Sequence, residues 1–366
     1  MKAEQKQTGK TDTVLWVLVL ILVVFGLGAL FSASEYNGRV RFHDSAYYFK
    51  KQLFATALGL LVMYLASRVD YRIPVKLAPG AYILSLFLST AVLLFGQEIN
   101  GSKRWLNLGA LSFQPSEFSK VAVILFLVWQ ISRTKSKTTG FWFMCRTMMT
   151  LLPVVGLVGS NNLSTAVIIL GIGVMLIFVA NPRYLQFLAL GRAGVGFIAV
   201  FLAAESYRLE RLAIWRDPEK YEKGFQTIQG LYAIGSGGIF GKGFGNSLQK
   251  LGFVPEAQND MIFSIVCEET GILGAFLVLF LFGLLIWRLC MLALNCRDLK
   301  GTLLCAGIMA HMSIQVVLNV AVVTNTIPNT GITLPFVSYG GTSVVFLLGE
   351  MGLALSVSSH RHGRIT

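Results

Sequence analysis

Charge is scarce in this 366-residue chain. Asp, Glu, Lys and Arg make up 13% of it, against about 25% in soluble domains, which excludes an ordinary water-facing surface. Cysteine is sparse too: Cys145, Cys267, Cys290, Cys296 and Cys305 include no CxxC pair and have no ligand-like spacing with the four histidines. Free thiols are expected, with neither a disulfide framework nor a structural metal centre. No internal repeat or low-complexity tract is evident.

What the chain has in quantity is apolar length. Hydrophobic residues reach 54% and the mean hydropathy is +0.66, gathered in runs of roughly 20 residues, enough to cross a bilayer. The net charge of +13 would suggest nucleic acid in a soluble protein, but the basic residues sit mostly between apolar runs and act as topology signals. No nucleic-acid partner is expected.

Length and charge windows predict an all-α integral membrane fold of ten transmembrane helices, near 14–33, 53–67, 80–96, 117–132, 141–159, 165–180, 186–204, 261–287, 302–323 and 340–358. Residues 1–13 and 359–366 are tails around a single membrane domain, 14–358. The first run is too long for a signal-peptide core and lacks a cleavage site, so it stays as a span. Lys2, Lys6, Lys10, Arg68, Arg72, Lys76, Arg133, Lys135, Lys137, Arg297, Lys300, Arg361 and Arg364 place both termini in the cytoplasm. Arg39, Arg41, Lys50 and Lys51 go against that bias and are outweighed.

One large extracytoplasmic loop, 205–260, then lies between helices 7 and 8. Loops longer than about 15 residues are usually functional or disordered. Trp215, Tyr221, Phe225, Tyr232, Phe240 and Phe244 favour a folded, membrane-hugging segment.

Several motifs carry polar chemistry. QPSEFSK opens the fourth span with Pro115 in its first turn and Glu117 three residues before Lys120, which makes a local ion pair or a cavity lining. In the outward loop after the third span, Lys103 and Arg104 beside Trp105 suit an interfacial anchor or a lipid's phosphates. The glycine-rich run from Ile234 to Ser247 is not a Walker loop, because Ser236 and Gly243 stand where glycine and a hydroxyl are needed. It is either a flexible turn or an anion cradle near Lys242 and Lys250.

Asp260 is the last polar residue before the eighth span. By position alone it is a helix cap. Ser264 and Glu268 follow at one-turn intervals on the same helix face, with Glu269 beside them. His311, Gln315 and Asn319 form one stripe on the ninth span, a pattern of interhelical hydrogen bonding. The uncharged loop after it, with Pro328, Pro335, Gly340 and Gly341, predicts a re-entrant cavity wall.

Together these segments resemble the SEDS family of cell-wall polymerases, the FtsW, RodA and SpoVE proteins. The resemblance rests on FSAS, KKQ, KRWLNLG, QPSEFSK, YRLER, GSGG, GFGNSLQK, VPEAQND, EETG and LPFVSYGGTS, in that order. GNSLQK and PEAQND are nearer to division-type FtsW and SpoVE than to elongation-type RodA. The resemblance implies a peptidoglycan glycosyltransferase that polymerises lipid II, beside a class B penicillin-binding protein and within a division or elongation complex of the bacterial cytoplasmic membrane. It also maps the family's essential aspartate onto Asp260, in place of the cap.

Under that implication Asp260 is the general base. Lys103, Arg104, Arg208, Arg211, Lys242 and Lys250 are candidates for holding the pyrophosphate of lipid II and the undecaprenyl-linked glycan strand, with or without a divalent cation, Mg or Mn. Glu117, Lys120, Glu268, Glu269, Gln315, Asn319 and Ser338 form the cavity network. One departure stands out: SNNLST, Ser160 to Thr165, replaces the family's PDLGT pattern, so Asn162 stands for a carboxylate. A lipid II flippase and a non-catalytic scaffold for the transpeptidase are the alternatives. The concentration of polar residues in the outer loop and outer helix ends, away from a midplane site, favours the polymerase.

Overall fold

The computed structural model describes residues 11–99, 102–108, 111–134, 140–181, 191, 192, 194, 196 and 212–360. The described helices are α1 (Thr13–Phe42), α2 (Tyr47–Arg68), α3 (Arg72–Phe95), α4 (Pro115–Arg133), α5 (Phe141–Asn161), α6 (Leu163–Ala180), α7 (Phe225–Ser236), α8 (Ile262–Leu294), α9 (Leu299–Val323) and α10 (Gly341–His360). Eight of them are long and apolar enough to span a membrane. The nineteen-residue α4, with two buried charges, packs among α3, α6 and α9. Most of the span predicted at 186–204, and the cations Arg208 and Arg211, fall outside the described residues.

Apolar side chains point both ways from these helices. Leu22, Leu30, Ile124, Leu127, Ile169, Leu285 and Leu304 fill the interior, whereas Phe54, Leu61, Ile83, Phe87, Phe276 and Phe280 stay exposed. A helix apolar on all sides in this way has lipid on one face and neighbouring helices on the other. The main seams are α2 along α10, α3 along α4, α8 along α9 and α5 along α6.

Several helices outrun their predicted spans. α1 has thirty residues, about 45 Å at about 1.5 Å per residue, so its end projects beyond a hydrocarbon core of about 30 Å. It stops where His43 takes φ 55. α8 is broken by Gly271, whose φ 69 and ψ −170 only glycine adopts readily. The loop expected after α3 is a three-stranded antiparallel sheet, β1 (Gln97–Ile99), β2 (Ser102–Leu108) and β3 (Leu111–Phe113).

The two ends of the bundle are distinct. At one end, Asp12 pairs with Arg288 at 2.7 Å and its backbone donates to Ser358 Oγ, while Tyr71 donates to Asp298. The first described residues and the end of α10 therefore share a face. At the far end of α1, Asn37 meets Gln258 and Arg41 meets Glu256, which sets the turn before α8 on the opposite face.

Candidate functional site

The turn carrying Asp260 is tightly held. Val254 and Ala257 are fully buried, and Glu256 takes a positive φ of 51, a strained conformation for a residue with a Cβ. Asn259 returns two hydrogen bonds to Glu256. Gln258 is 1% exposed; its side chain accepts from Asn37 Nδ2 at 2.7 Å and its carbonyl from the Tyr339 N–H at 2.8 Å. Burial pushes the Tyr339 phenol up to about 12, so it stays neutral beside the turn. The Asp260 carboxylate is part-exposed, with Gln226 Nε2 of α7 at 3.5 Å. Met261 occupies the N-cap of α8 and makes no side-chain cap bond, so Asp260 does not serve as that cap.

Behind Asp260 runs the polar stripe of α9. Asn319 Nδ2 donates to the Asp260 carbonyl at 2.9 Å and to the Ile332 carbonyl at 2.7 Å. One turn away, Gln315 Nε2 donates to the Thr333 carbonyl, and its Oε1 accepts from Lys120 Nζ at 3.1 Å. Lys120 pairs with Glu117 at 3.0 Å, both buried. His311, a turn further, contacts Gln315 and Glu350. The stripe thus binds backbone of the loop 324–340, which cannot be regular helix and is satisfied by these side chains. Gly26 lets this loop approach α1, because a Cβ there would overlap the Phe336 carbonyl. Ser338 closes the loop's own turn, accepting from the Leu334 N–H at 2.8 Å.

The same loop reaches the cations of β2. A Cβ on Gly331 would lie 3.7 Å from an Arg104 guanidinium nitrogen, and Ser164 donates to the Thr330 carbonyl. Lys103 and Arg104 line a small, partly open pocket with Ser116, Asn161, Asn162 and the apolar Val92, Leu157 and Val158. Arg104 Nε donates to the Asn161 carbonyl, and Asn161 Nδ2 to the Lys103 carbonyl. Asn162 caps α6 by accepting from the Thr165 N–H at 3.2 Å, a task an amide performs as well as a carboxylate. With an amide in that position, the pocket's described lining carries two cations and no carboxylate, which favours an anionic group there.

Glu268 and Glu269 belong to a different network. Glu268, fully buried, accepts from Lys242 Nζ at 2.6 Å, Ser236, Ser247 and the N–H groups of Leu248 and Gln249. Glu269 accepts from Ser32 at 2.5 Å and Lys250 at 3.1 Å. The glycine-rich run folds onto the break at Gly271, with the Lys242 and Gly243 N–H groups donating to the Glu268 and Glu269 carbonyls.

The predicted residues therefore separate into groups. Asn319, Gln315 and Arg104 border the 324–340 loop, Asp260 joins it through Asn319, and Lys120 with Glu117 joins it through Gln315, whereas Glu268 and Glu269 brace the glycine-rich run. The expectation that Lys250 meets a diphosphate gives way to a buried ion pair, its side chain 4% exposed. Lys242 is 30% exposed and still borders solvent. Sequence reasoning missed Gln258, Asn37 and Glu350 as partners. An acid inside an apolar span was the available signal for Glu350. Among the described residues no three His, Cys, Asp or Glu side chains form a metal-holding group.

Residues 12–363 match the FtsW/RodA/SpoVE family model, described as cell cycle proteins. Stage V sporulation protein E of Bacillus subtilis is 38% identical over 364 residues, covering 95% of this chain and 97% of that protein. The probable peptidoglycan glycosyltransferase FtsW of Trichlorobacter lovleyi is 33% identical, covering 95% and 93%. A chain from a peptidoglycan synthase complex that coordinates polymerization and crosslinking superposes with TM-score 0.80 at 31% identity, covering 96% and 98%. Thermus thermophilus rod shape determining protein RodA superposes with TM-score 0.72 at 30% identity and the same coverage.

Proposed function

The chain belongs to the FtsW/RodA/SpoVE family, and from that premise we propose that it polymerises lipid II into glycan strands at the outer face of a bacterial cytoplasmic membrane, with both termini inside. It is a multi-pass membrane peptidoglycan glycosyltransferase. The single observation that carries the reaction is the placement of Asp260: a part-exposed carboxylate at the end of the bundle opposite Asp12 and Ser358, held against the loop that also borders Arg104.

Growth of the strand requires a sugar hydroxyl to attack the anomeric carbon of a lipid-diphosphate-linked donor with inversion. Asp260 takes the hydroxyl proton as general base, worth about 10² to 10⁴ in rate. Inversion needs no second, nucleophilic carboxylate. Charge gathers on the departing diphosphate, and fixed cations stabilise it best where water is scarce. Lys103 and Arg104 beside their pocket supply them; Lys242, part-exposed but already paired with Glu268, is a second-rank candidate. Arg208 and Arg211 are the remaining candidates, in residues 182–211.

A class B penicillin-binding protein is the proposed cross-linking partner, in a division or elongation complex, supported by the neighbour's place in a synthase complex. The test is incubation of purified protein with lipid II, with and without that partner, and separation of products on a gel. Glycan ladders from the wild-type protein and none from Asp260→Asn support the reading. Ladders from Asp260→Asn as strong as from wild type remove Asp260 as the base, and no ladders from the wild-type protein return the scaffold alternative.

A further inference from the structure

We propose that Asn319 is a positioning residue for the reaction: its side-chain amide, locked between the Asp260 and Ile332 carbonyls, sets where the Asp260 carboxylate stands relative to the 330–334 stretch of the loop. The inference rests on Asp260 being the base.

Asn319 is 0% exposed, and its NH2 group spends its two hydrogens on two carbonyls, at 2.9 and 2.7 Å, from segments far apart in the chain. Because both partners are carbonyls, the nitrogen must face them, which fixes the amide's orientation by chemistry. The cost of that choice is visible. Asn319 Oδ1 is buried with no hydrogen-bond partner among the described residues, an arrangement that folded proteins seldom tolerate.

A side chain kept for bulk alone would be apolar here. A side chain kept only for interhelical adhesion would not join two irregular segments. The turn it grips carries its own strain at Glu256, with φ 51, and is held from the other side by Asn37 through Gln258. Removing Asn319's grip therefore lets Asp260 relax away from the loop that borders Arg104, while Gln258 keeps the turn attached. Misplacement of a reacting group by about 1 Å costs about a hundredfold in rate.

The experiment is steady-state polymerisation of lipid II by the full-length protein, alongside its thermal midpoint, for Asn319→Ala, Asn319→Asp and Asn319→Ser. Asn319→Asp keeps the size but turns both donors into acceptors facing carbonyls. Expected for Asn319→Ala and Asn319→Asp is a fall in kcat of about tenfold to a hundredfold with KM for lipid II within about twofold, measured on folded protein. Asn319→Ser, which can donate once, should fall between these and wild type, and it decides the matter should the other two not fold. Folded variants with a lowered midpoint but wild-type kcat overturn the positioning role. Asp260→Asn at wild-type rate would overturn the base itself, so the two failures are told apart.

Discussion

Lys250 Nζ lies 3.1 Å from Glu269 Oε1, with both side chains shut off from solvent, and Ser32 of α1 bridges the pair. This contact ties the segment just past the glycine-rich run to α1 and α8 together. Lys250→Met strands the Glu269 carboxylate and is expected to cost about 3 to 5 kcal/mol of stability, much of which Lys250→Met with Glu269→Gln should restore. Thermal unfolding of the purified variants in detergent measures both.

Glu117 and Lys120 make the same kind of prediction in α4, with a different remedy. Lys120 is shared with Gln315, so Lys120→Met removes a partner from α9 as well as from Glu117. A double variant, Glu117→Gln with Lys120→Met, should recover only part of the lost midpoint, because Gln315 Oε1 then keeps His311 alone. Recovery to the full wild-type midpoint would show that the link to α9 contributes nothing.

How much of this was legible beforehand differs by element. Apolar runs of bilayer length announced the helices, because lipid demands that every backbone group be paired within the segment. Helix ends were less legible: α1 continues through Asn37 and Gly38 because those residues find buried neighbours, which composition does not show. The small sheet has one mark in the sequence, the Asn100–Gly101 dipeptide between two short runs, a hairpin signal. Of the site, the polar stripe on α9 followed from helical spacing, and Glu117 with Lys120 from their separation by three. The partners of Glu268 and Glu269 could not be read, since they depend on a loop folding back onto the break at Gly271.

That break is itself testable. A Cβ on Gly271 would overlap the Ile239 carbonyl, and its φ of 69 is unfavourable for any other residue. Gly271→Ala should lose about 2 kcal/mol or more, seen as a lowered thermal midpoint. An unchanged midpoint would mean that the run 237–243 is not packed on α8 as described.

Asn162 offers a test of the cation pocket. Asn162→Asp keeps the cap of α6 but places a carboxylate in the cavity shared with Lys103 and Arg104. The expected result is an unchanged midpoint with a weaker apparent affinity for lipid II, by about tenfold, from a negative charge added to the pocket that Lys103 and Arg104 line. Unchanged affinity would remove this cavity from diphosphate binding.

The most direct measurement is the initial rate of glycan formation from purified lipid II by Asp260→Asn beside the wild-type protein, each checked for its thermal midpoint. The account predicts equal midpoints and a rate at least about a hundredfold lower for the variant, the loss of a general base. A variant that polymerises within a few-fold of wild type would contradict it.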